Sequence, residues 1–223
     1  MKVGFNYITE PSRRRVGLSV LIGIIVGIIG AIAKWGWEVP FPPRNPDIFW
    51  PVDAMSRVTP PKVVLDMLHM PDLSYTFSGV QLPLDVFIVH VLFSIVFGIM
   101  YCVIAEYWPR IKMWQGCVFG FFVYLFAHVI VMPLMGLVPP LAEIPFDENL
   151  SELFGHLWWL WIMEVARRDL RNRMTGELDP EKYIKLIKPL CFRCSVMLFT
   201  TAFMTKLTLK QRGFYYIEKY SRI

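Results

Sequence analysis

Three histidines, His90, His128 and His156, lie inside strongly apolar stretches of the sequence. Each lies five positions from a polar residue or a proline that marks one end of its stretch. At ~1.5 Å per helical residue this spacing corresponds to a depth of roughly 7 to 8 Å. An ionisable side chain inside a membrane is costly and usually faces a bundle interior or a water-filled cavity. The spacing therefore predicts that three helices place their imidazoles in one layer.

Charged residues belong to the same layer. They lie at the helix ends that are predicted to face the outer side of the membrane. Lys34 and Glu38 are four positions apart, so they share a face if the first helix continues through them. Asp85 and Glu152 lie at the outer ends of two further stretches. The predicted outer cluster consists of Lys34, Glu38, Asp85, His90, His128, Glu152 and His156.

Three interpretations of this outer cluster stay open. As a metal site, the three imidazoles with a carboxylate from Glu38 or Asp85 would suit zinc or another borderline ion. As a proton-responsive site, the histidines would change charge as the outside acidifies, because an unperturbed imidazole has a pKa of about 6.5. As a packing element, the same groups would form a hydrogen-bond network between helices.

Acidic residues also occur at the other end of the helices. Glu106 and Glu164 lie close to arginine and lysine residues there, and Glu164 precedes Arg168 by four positions, which is the better order for a helical ion pair. These residues are interpreted as structural ion pairs near the membrane surface.

The composition indicates a membrane protein. Hydrophobic residues make up 55% of the 223 residues, charged residues only 18%, and the mean hydropathy is +0.46. A soluble domain carries about a quarter of charged residues. We therefore expect the lipid bilayer to be the main partner and do not expect nucleic-acid binding, because the net charge of +5 is explained by membrane topology.

Three apolar stretches are long enough to cross about 30 Å of hydrocarbon as helices, and a fourth, shorter and more polar, is also expected to be a span. The first exceeds the apolar core of about 7 to 15 residues in a signal peptide, which favours a retained span. The sequence thus predicts an all-α fold, a four-helix transmembrane bundle with proline-rich periplasmic loops, in a membrane domain of residues 16–173. The predicted spans are residues 16–37, 85–107, 113–135 and 150–172.

Basic residues predict the orientation, since short loops rich in Lys and Arg stay in the cytoplasm. Three basic groups fall on one side of the four spans, whereas the opposite loop at 138–150 has none. Both termini are therefore expected in the cytoplasm, as a lead of residues 1–15 and a tail of residues 174–223. The basic residues are Arg13, Arg14, Arg15, Arg110, Lys112, Arg167, Arg168, Arg171 and Arg173.

The connecting segments carry weaker signals. The long outer loop at 38–84 is rich in proline, with one short helix expected over Pro61 to His69. Gly176 is suited to end the fourth helix. In the tail, residues 190–204 are interpreted as an interfacial helix on the inner leaflet, and the lone Cys191-x-x-Cys194 lacks the second pair that a zinc site would use.

Two glycine pairs have the spacing that lets helices approach closely in lipid. They are Gly23-x-x-x-Gly27 in the first span and Gly116-x-x-x-Gly120 in the third. They serve either packing within the chain or contacts in a homo-oligomer.

Longer motifs carry a resemblance that covers roughly residues 11 to 181. They resemble the YagU family of small bacterial inner-membrane proteins, and the tail from about Tyr183 departs from the pattern. The resemblance implies an integral protein of the bacterial inner membrane, associated at most with tolerance of acid, and it supplies no catalytic residues. The motifs are "KWGWEVPFPPR" (34–44), "HVLFS" (90–94), "YCVIAEYWPRIKMWQG" (101–116), "HVIVMPLMGLVPP" (128–140) and "ENLSELFGHLWWLWIMEVARRDLRNR" (148–173).

We therefore expect an inner-membrane protein associated with acid tolerance, with the outer cluster as its proton-responsive element. The alternatives are a membrane metal-binding protein or enzyme that uses His90, His128 and His156, and a structural subunit of a membrane complex. The sequence contains no nucleotide-binding loop, catalytic-triad signature or zinc-protease helix, so an enzyme is not the favoured interpretation. It indicates no particular cofactor.

Overall fold

The computed structural model describes residues 8–42 and 58–180, all within the compact unit Met1–Lys182. The expected tail helix, the two tail cysteines and the proline-rich residues 43–57 lie outside the described residues. The helices are α1 (Val16–Glu38), α2 (Pro60–Met67), α3 (Leu84–Tyr107), α4 (Cys117–Tyr124), α5 (Met132–Leu134) and α6 (Phe146–Thr175), and the strands are β1 (Ser74–Phe77) and β2 (Val80–Pro83).

The described residues are mostly helical, as predicted, with one exception in the outer loop. Strands β1 and β2 pair in an antiparallel hairpin in which Ser74 faces Pro83 and Phe77 faces Val80. Both turn residues, Ser78 and Gly79, have positive φ, which matches the twist of a two-residue hairpin. The hairpin corrects the purely all-α prediction, because its strands were too short for the sequence to signal them. The short helix expected nearby is present as α2.

Helices α1 and α3 pack backbone to backbone. A Cβ atom added at Gly23 would lie 2.5 Å from the Cα of Ile99, and one at Gly27 would lie 2.5 Å from the Cα of Ile95. From the other side, a Cβ at Gly98 would lie 2.5 Å from the carbonyl oxygen of Gly23. The predicted glycine pair of the first span therefore lies at a helix contact within the chain.

Helix α4 packs against α6 in the same way. A Cβ atom at Gly120 would lie 2.6 Å from the carbonyl oxygen of His156. The preceding residues Trp114, Gln115 and Gly116 all have positive φ, so the regular helix starts at Cys117 rather than at residue 113 as predicted. The close contact brings His156 of α6 next to the helix that carries His128.

Three stretches of the described residues are long and apolar enough to cross a membrane. They are Val16–Glu38, Leu84–Tyr107 and Pro109–Leu134, which correspond to the first three predicted spans. Helix α6, where the sequence predicts the fourth, is longer but more polar and is not among them. Its polar residues Glu152, Glu164 and Arg167 are nevertheless buried, because they face the other helices rather than the surroundings of the bundle.

A buried network of ion pairs connects the ends of α3 and α6; we call it the inner ion-pair network. Arg167 binds both carboxylate oxygens of Glu164, at 2.7 and 2.9 Å, whereas the predicted partner Arg168 donates to Gln115 at 3.4 Å. The network contains two further ion pairs, Arg171 with Glu106 and Lys112 with Asp179. The last turn of α6 ends at Gly176 with a φ of 67°, as expected from its position.

Candidate functional site

The outer ends of the helices enclose a cavity of about 660 Å³. Its walls come from α1, α3, α6 and the segment that follows α4, and residues around α2 cover part of it. Most of the lining is apolar, and its charged residues on α1 and α6 include the ion pair of Lys34 and Glu152. We call this the outer cavity.

Glu152 is the centre of the polar side chains in the outer cavity. Its Oε2 lies 3.4 Å from Nζ of Lys34 and 3.6 Å from Nε2 of His128. The same oxygen is 3.7 Å from Nδ1 of His156, one turn further along α6. One buried carboxylate oxygen therefore faces an ammonium group and two imidazoles.

Lys34 connects two helices through its ammonium group. It forms an ion pair with Glu38, one turn further along α1, and a second with Glu152 of α6. Only 11% of the Lys34 side chain is exposed, and 29% of the Glu38 side chain. The pairing predicted from the spacing of Lys34 and Glu38 is present, and Glu152 is an additional partner.

His156 is held in one orientation by the backbone of its own helix. Its Nδ1 lies 2.8 Å from the carbonyl oxygen of Glu152 and donates its proton there when the ring is neutral. The assigned tautomer leaves Nε2 as an acceptor. The ring contacts His128 edge to face, with centroids 4.7 Å apart, and Trp159 at 5.8 Å.

His128 reaches this position from an unusual turn. Residues Leu125–Val131 between α4 and α5 form a π-helix, a widened turn that is often found at functional sites. The His128 ring stacks on Tyr124, one turn earlier, with centroids 6.1 Å apart. The wider turn changes which way a side chain faces, so the ordinary helical period does not predict its direction.

His90 and Asp85 are placed apart from this group. His90 lines the outer cavity, but its Nε2 donates to the carbonyl of Ala31 at 3.3 Å and its ring lies against Trp35. Asp85 is buried and accepts a hydrogen bond from the backbone nitrogen of Val86, and it is not part of the described cavity lining. The three histidines thus share a cavity, but only two of them are neighbours.

A metal ion could be held by a different set from the one expected. Ligand atoms of His128, Glu152 and His156 all lie within 4.8 Å of one another. The carboxylate in this set is Glu152, rather than the expected Glu38 or Asp85, and His90 is not a member. Two imidazole nitrogens and a carboxylate oxygen would suit zinc or a similar ion.

Two residues of the site were missed in the sequence although helical spacing could have found them. Ser94 follows His90 by four positions and Trp159 follows His156 by three, so each lies on the cavity face of its helix. The indole nitrogen of Trp159 donates to Ser94 Oγ at 2.9 Å, and Ser94 donates to the carbonyl of Gly27 at 2.6 Å. This chain of hydrogen bonds joins α6, α3 and α1 beneath the cavity.

Comparisons with known proteins agree with the resemblance of the motifs. Residues 28–165 match the family described as "Protein of unknown function (DUF1440)". The chain is 47% identical over 196 residues to "Inner membrane protein YagU" of Escherichia coli (strain K12), covering 78% of this chain and 94% of the relative. The chain belongs to the YagU family. No solved structure matches this member of the family.

Proposed function

We propose that this protein crosses the bacterial inner membrane four times, has both termini in the cytoplasm, and contributes to acid tolerance through a proton-responsive outer cavity. The similarity to an inner-membrane protein of E. coli supports the location. The three apolar helices support insertion in a membrane, and the one-sided basic residues support the orientation. The outer cavity then opens towards the periplasmic side.

The observation that carries the proposed proton response is the position of Glu152. Glu152 forms an ion pair with Lys34, which also pairs with Glu38, and the same carboxylate faces two imidazoles. A proton on either His128 or His156 adds one positive charge to this group and places it beside Glu152. One proton therefore changes the charge of the whole group.

Protonation of this group would also change how the helices are held together. Burial disfavours an imidazolium, whereas a neighbouring carboxylate favours it. An imidazolium on α6 or on the π-helix would compete with Lys34 for Glu152, and Lys34 would then pair more strongly with Glu38 of its own helix. The ionisable groups around this site are Lys34 and Glu38 of α1, His90 of α3, Tyr124 of α4, His128 of the π-helix, and Glu152 and His156 of α6.

The experiment is a series of thermal melts of the purified protein from about pH 8 to pH 5, for the parent and for His156→Gln. We expect the melting temperature of the parent to change as pH falls, because a proton on the buried ring of His156 lies beside the ion pair of Glu152 and Lys34, and His156→Gln to lose this change. His69→Gln is the matched control, since His69 is exposed in a turn outside the cavity and should follow the parent. Identical profiles for the parent and His156→Gln would contradict the proposal.

The second candidate is a metal-binding membrane protein, which the closeness of His128, Glu152 and His156 favours. Metal content measured on the same purified samples distinguishes it. One metal ion per chain that disappears in His156→Gln would support this candidate over the proton response, because metal ligands must be deprotonated.

A further inference from the structure

The outer cavity is larger than a proton or a metal ion requires. Its volume of about 660 Å³ lies in the range of roughly 300 to 1,000 Å³ that is usual for pockets of small organic molecules. Such pockets have mostly apolar walls, and the outer cavity has them too. An apolar wall that faces empty space loses its dispersion contacts, so a cavity of this kind favours an apolar occupant.

The packing of the helices leaves one side of the bundle open. Helix α1 packs against α3 and α6, and α6 packs against α4. In the part of the chain that the structure describes, neither α4 nor the π-helix Leu125–Val131 packs closely against α3. We call the space between residues 86–93 of α3 and residues 128–132 the lateral gap. The outer cavity is lined from both sides of this gap.

The inner half of the same side is closed by aromatic rings. Phe97 of α3 lies against Trp159 of α6, with ring centroids 5.7 Å apart. One turn further inward, Tyr101 of α3 contacts Phe119 of α4, with centroids 5.4 Å apart. The hydrogen bond from Trp159 to Ser94 joins α6 to α3 at the bottom of the cavity. The lateral gap is therefore confined to the outer half of the helices and has a floor.

The lateral gap lies beside apolar parts of two spans. Val86, Val89 and Phe93 line the cavity from α3, and Met132 lines it from the stretch Pro109–Leu134. Both α3 and this stretch are apolar and long enough to cross a membrane. Phe93 is about 13 Å from the outer end of α3 along the helix, within the outer half of about 30 Å of hydrocarbon. Lipid chains, rather than water, therefore border the gap.

The polarity of the cavity lining falls from its outer end to its floor. Glu38 lies at the outer end of α1 and Glu152 near the outer end of α6, and both line the cavity. Trp159 lies two turns further in along α6, and its ring stacks with that of Phe93 at a centroid distance of 6.2 Å. A molecule with a polar end and a long apolar chain matches this order.

We propose that the outer cavity takes up one acyl chain of a lipid from the outer leaflet, and that the chain enters through the lateral gap. The chain contacts Phe93, Met132 and Trp159, and the polar end of the lipid stays at the outer end of the cavity. It fills the apolar volume without leaving the hydrocarbon. This inference deepens the proposed function, because it names a ligand of the same cavity, and it rests on that function for the four-span arrangement.

The test uses the full-length protein in nanodiscs of phosphatidylcholine, a small share of which carries a diazirine at the end of one acyl chain. Irradiation attaches this chain to the nearest side chain, and peptide mass spectrometry identifies the position. We expect adducts at Leu92, which is 56% exposed on α3, and also at Trp159, which is only 2% exposed but lines the cavity. Met163 of α6 is buried outside the cavity lining and should carry none.

Two results of this experiment would overturn the inference. Adducts at Leu92 without adducts at Trp159 would show that acyl chains surround the bundle but do not enter the cavity. Adducts at Met163 as frequent as those at Trp159 would show that the probe reaches buried side chains without using the cavity.

Variants assign the labelling to the lateral gap. Val89→Trp should reduce the labelling of Trp159 by at least about fivefold, because the larger ring takes up volume that the chain would fill, and should leave Leu92 labelled. Val96→Trp is the matched control, since Val96 is exposed on the same helix outside the cavity lining. Equal labelling of Trp159 in the parent and in Val89→Trp would contradict entry through the gap. The result for the parent stands even if Val89→Trp does not fold.

A second probe distinguishes the two sources of an acyl chain. A fatty acid with the same terminal diazirine is added to nanodiscs of unlabelled phosphatidylcholine. Labelling of Trp159 by the phospholipid probe supports a bilayer lipid as the source. Labelling of Trp159 by the fatty acid alone would overturn the entry of a bilayer lipid and identify a free fatty acid as the occupant.

The same samples separate this inference from the proposed proton response. Labelling of Trp159 together with melting profiles that do not depend on His156 would contradict the proton response alone. Melting profiles that depend on His156, without labelling of Trp159, would overturn the lipid site alone.

Discussion

At the scale of single residues, the depth of a side chain in its helix could be predicted, but its direction could not. Six of the seven residues predicted to form the outer cluster line one cavity, because depth follows from counting along each helix. Glu152 is the shared partner because of the way α6 is rotated relative to α1. The sequence of a single helix does not determine this rotation. Asp85 is the exception, since its carboxylate accepts a hydrogen bond at the start of its own helix.

Burial also separates ion pairs that look alike in the sequence. Glu164 and Asp169 are both acids of α6 that pair with an arginine of α6. Glu164→Gln should destabilise the protein by about 3 to 5 kcal/mol in thermal or denaturant unfolding, because Arg167 stays buried with one partner fewer. Asp169→Asn should cost at most about 1 kcal/mol, because its partner Arg173 is exposed. Equal losses would contradict the assigned importance of the inner ion-pair network.

Asp179 gives this network a defined dependence on pH. Burial alone would raise the pKa of Asp179, but the charges of Arg167 and Lys112 outweigh it and hold the pKa below the unfolded value of about 3.8. The stability that this carboxylate contributes is therefore present above that value and is lost only as pH falls through the lower folded pKa.

Asp179→Asn should accordingly lower the melting temperature by the same amount at about pH 8 and pH 5, since the carboxylate is ionised throughout this window. Melts of the parent and the variant at both values check this. A loss that shrinks towards pH 5 would mean that Asp179 takes up a proton there, and that the inner network shares in any response to mild acid.

At the scale of elements, sequence periodicity placed the long helices well and the irregular turns poorly. The predicted first and second spans end within a residue or so of α1 and α3. The start of α4 is later than predicted because Trp114 and Gln115 adopt left-handed conformations, which a run of apolar residues does not signal. The π-helix around His128 escaped prediction for a similar reason, since an apolar stretch fits several helical geometries.

A substitution at the contact between α1 and α3 tests how closely these two helices are packed. Gly27→Leu should destabilise the protein by about 1 to 3 kcal/mol or more, because even its Cβ would overlap the backbone at Ile95. Ile24→Leu is the matched control on the same helix, at a position that is 37% exposed. Thermal melts in detergent compare the two variants. Similar melting temperatures would contradict the packing, and a change only in oligomer size would assign Gly27 to contacts between chains.

At the scale of the whole molecule, the number of spans decides on which side of the membrane the C-terminus lies. Three spans would place the two ends of the membrane domain on opposite sides of the membrane, whereas four place them on the same side. The amino-acid composition predicted a membrane protein because it counts the apolar residues of the whole chain. It does not identify α6 as a span, because the charges of α6 are offset by partners on other helices, which hydropathy does not count.

We predict that α6 crosses the membrane and that both termini are cytoplasmic. A phosphatase that is active only in the periplasm should therefore be inactive when fused after Ile223 and active when inserted at Gly79 in the outer hairpin. A fluorescent protein that matures only in the cytoplasm should give the reverse pattern. The insertion at Gly79 is the internal control, since it reports the side opposite to the basic loops in both the three-span and the four-span arrangement. Phosphatase activity after Ile223 would mean that α6 stays on the outer side, and the outer cavity would then lack the membrane-spanning wall that holds Glu152 and His156.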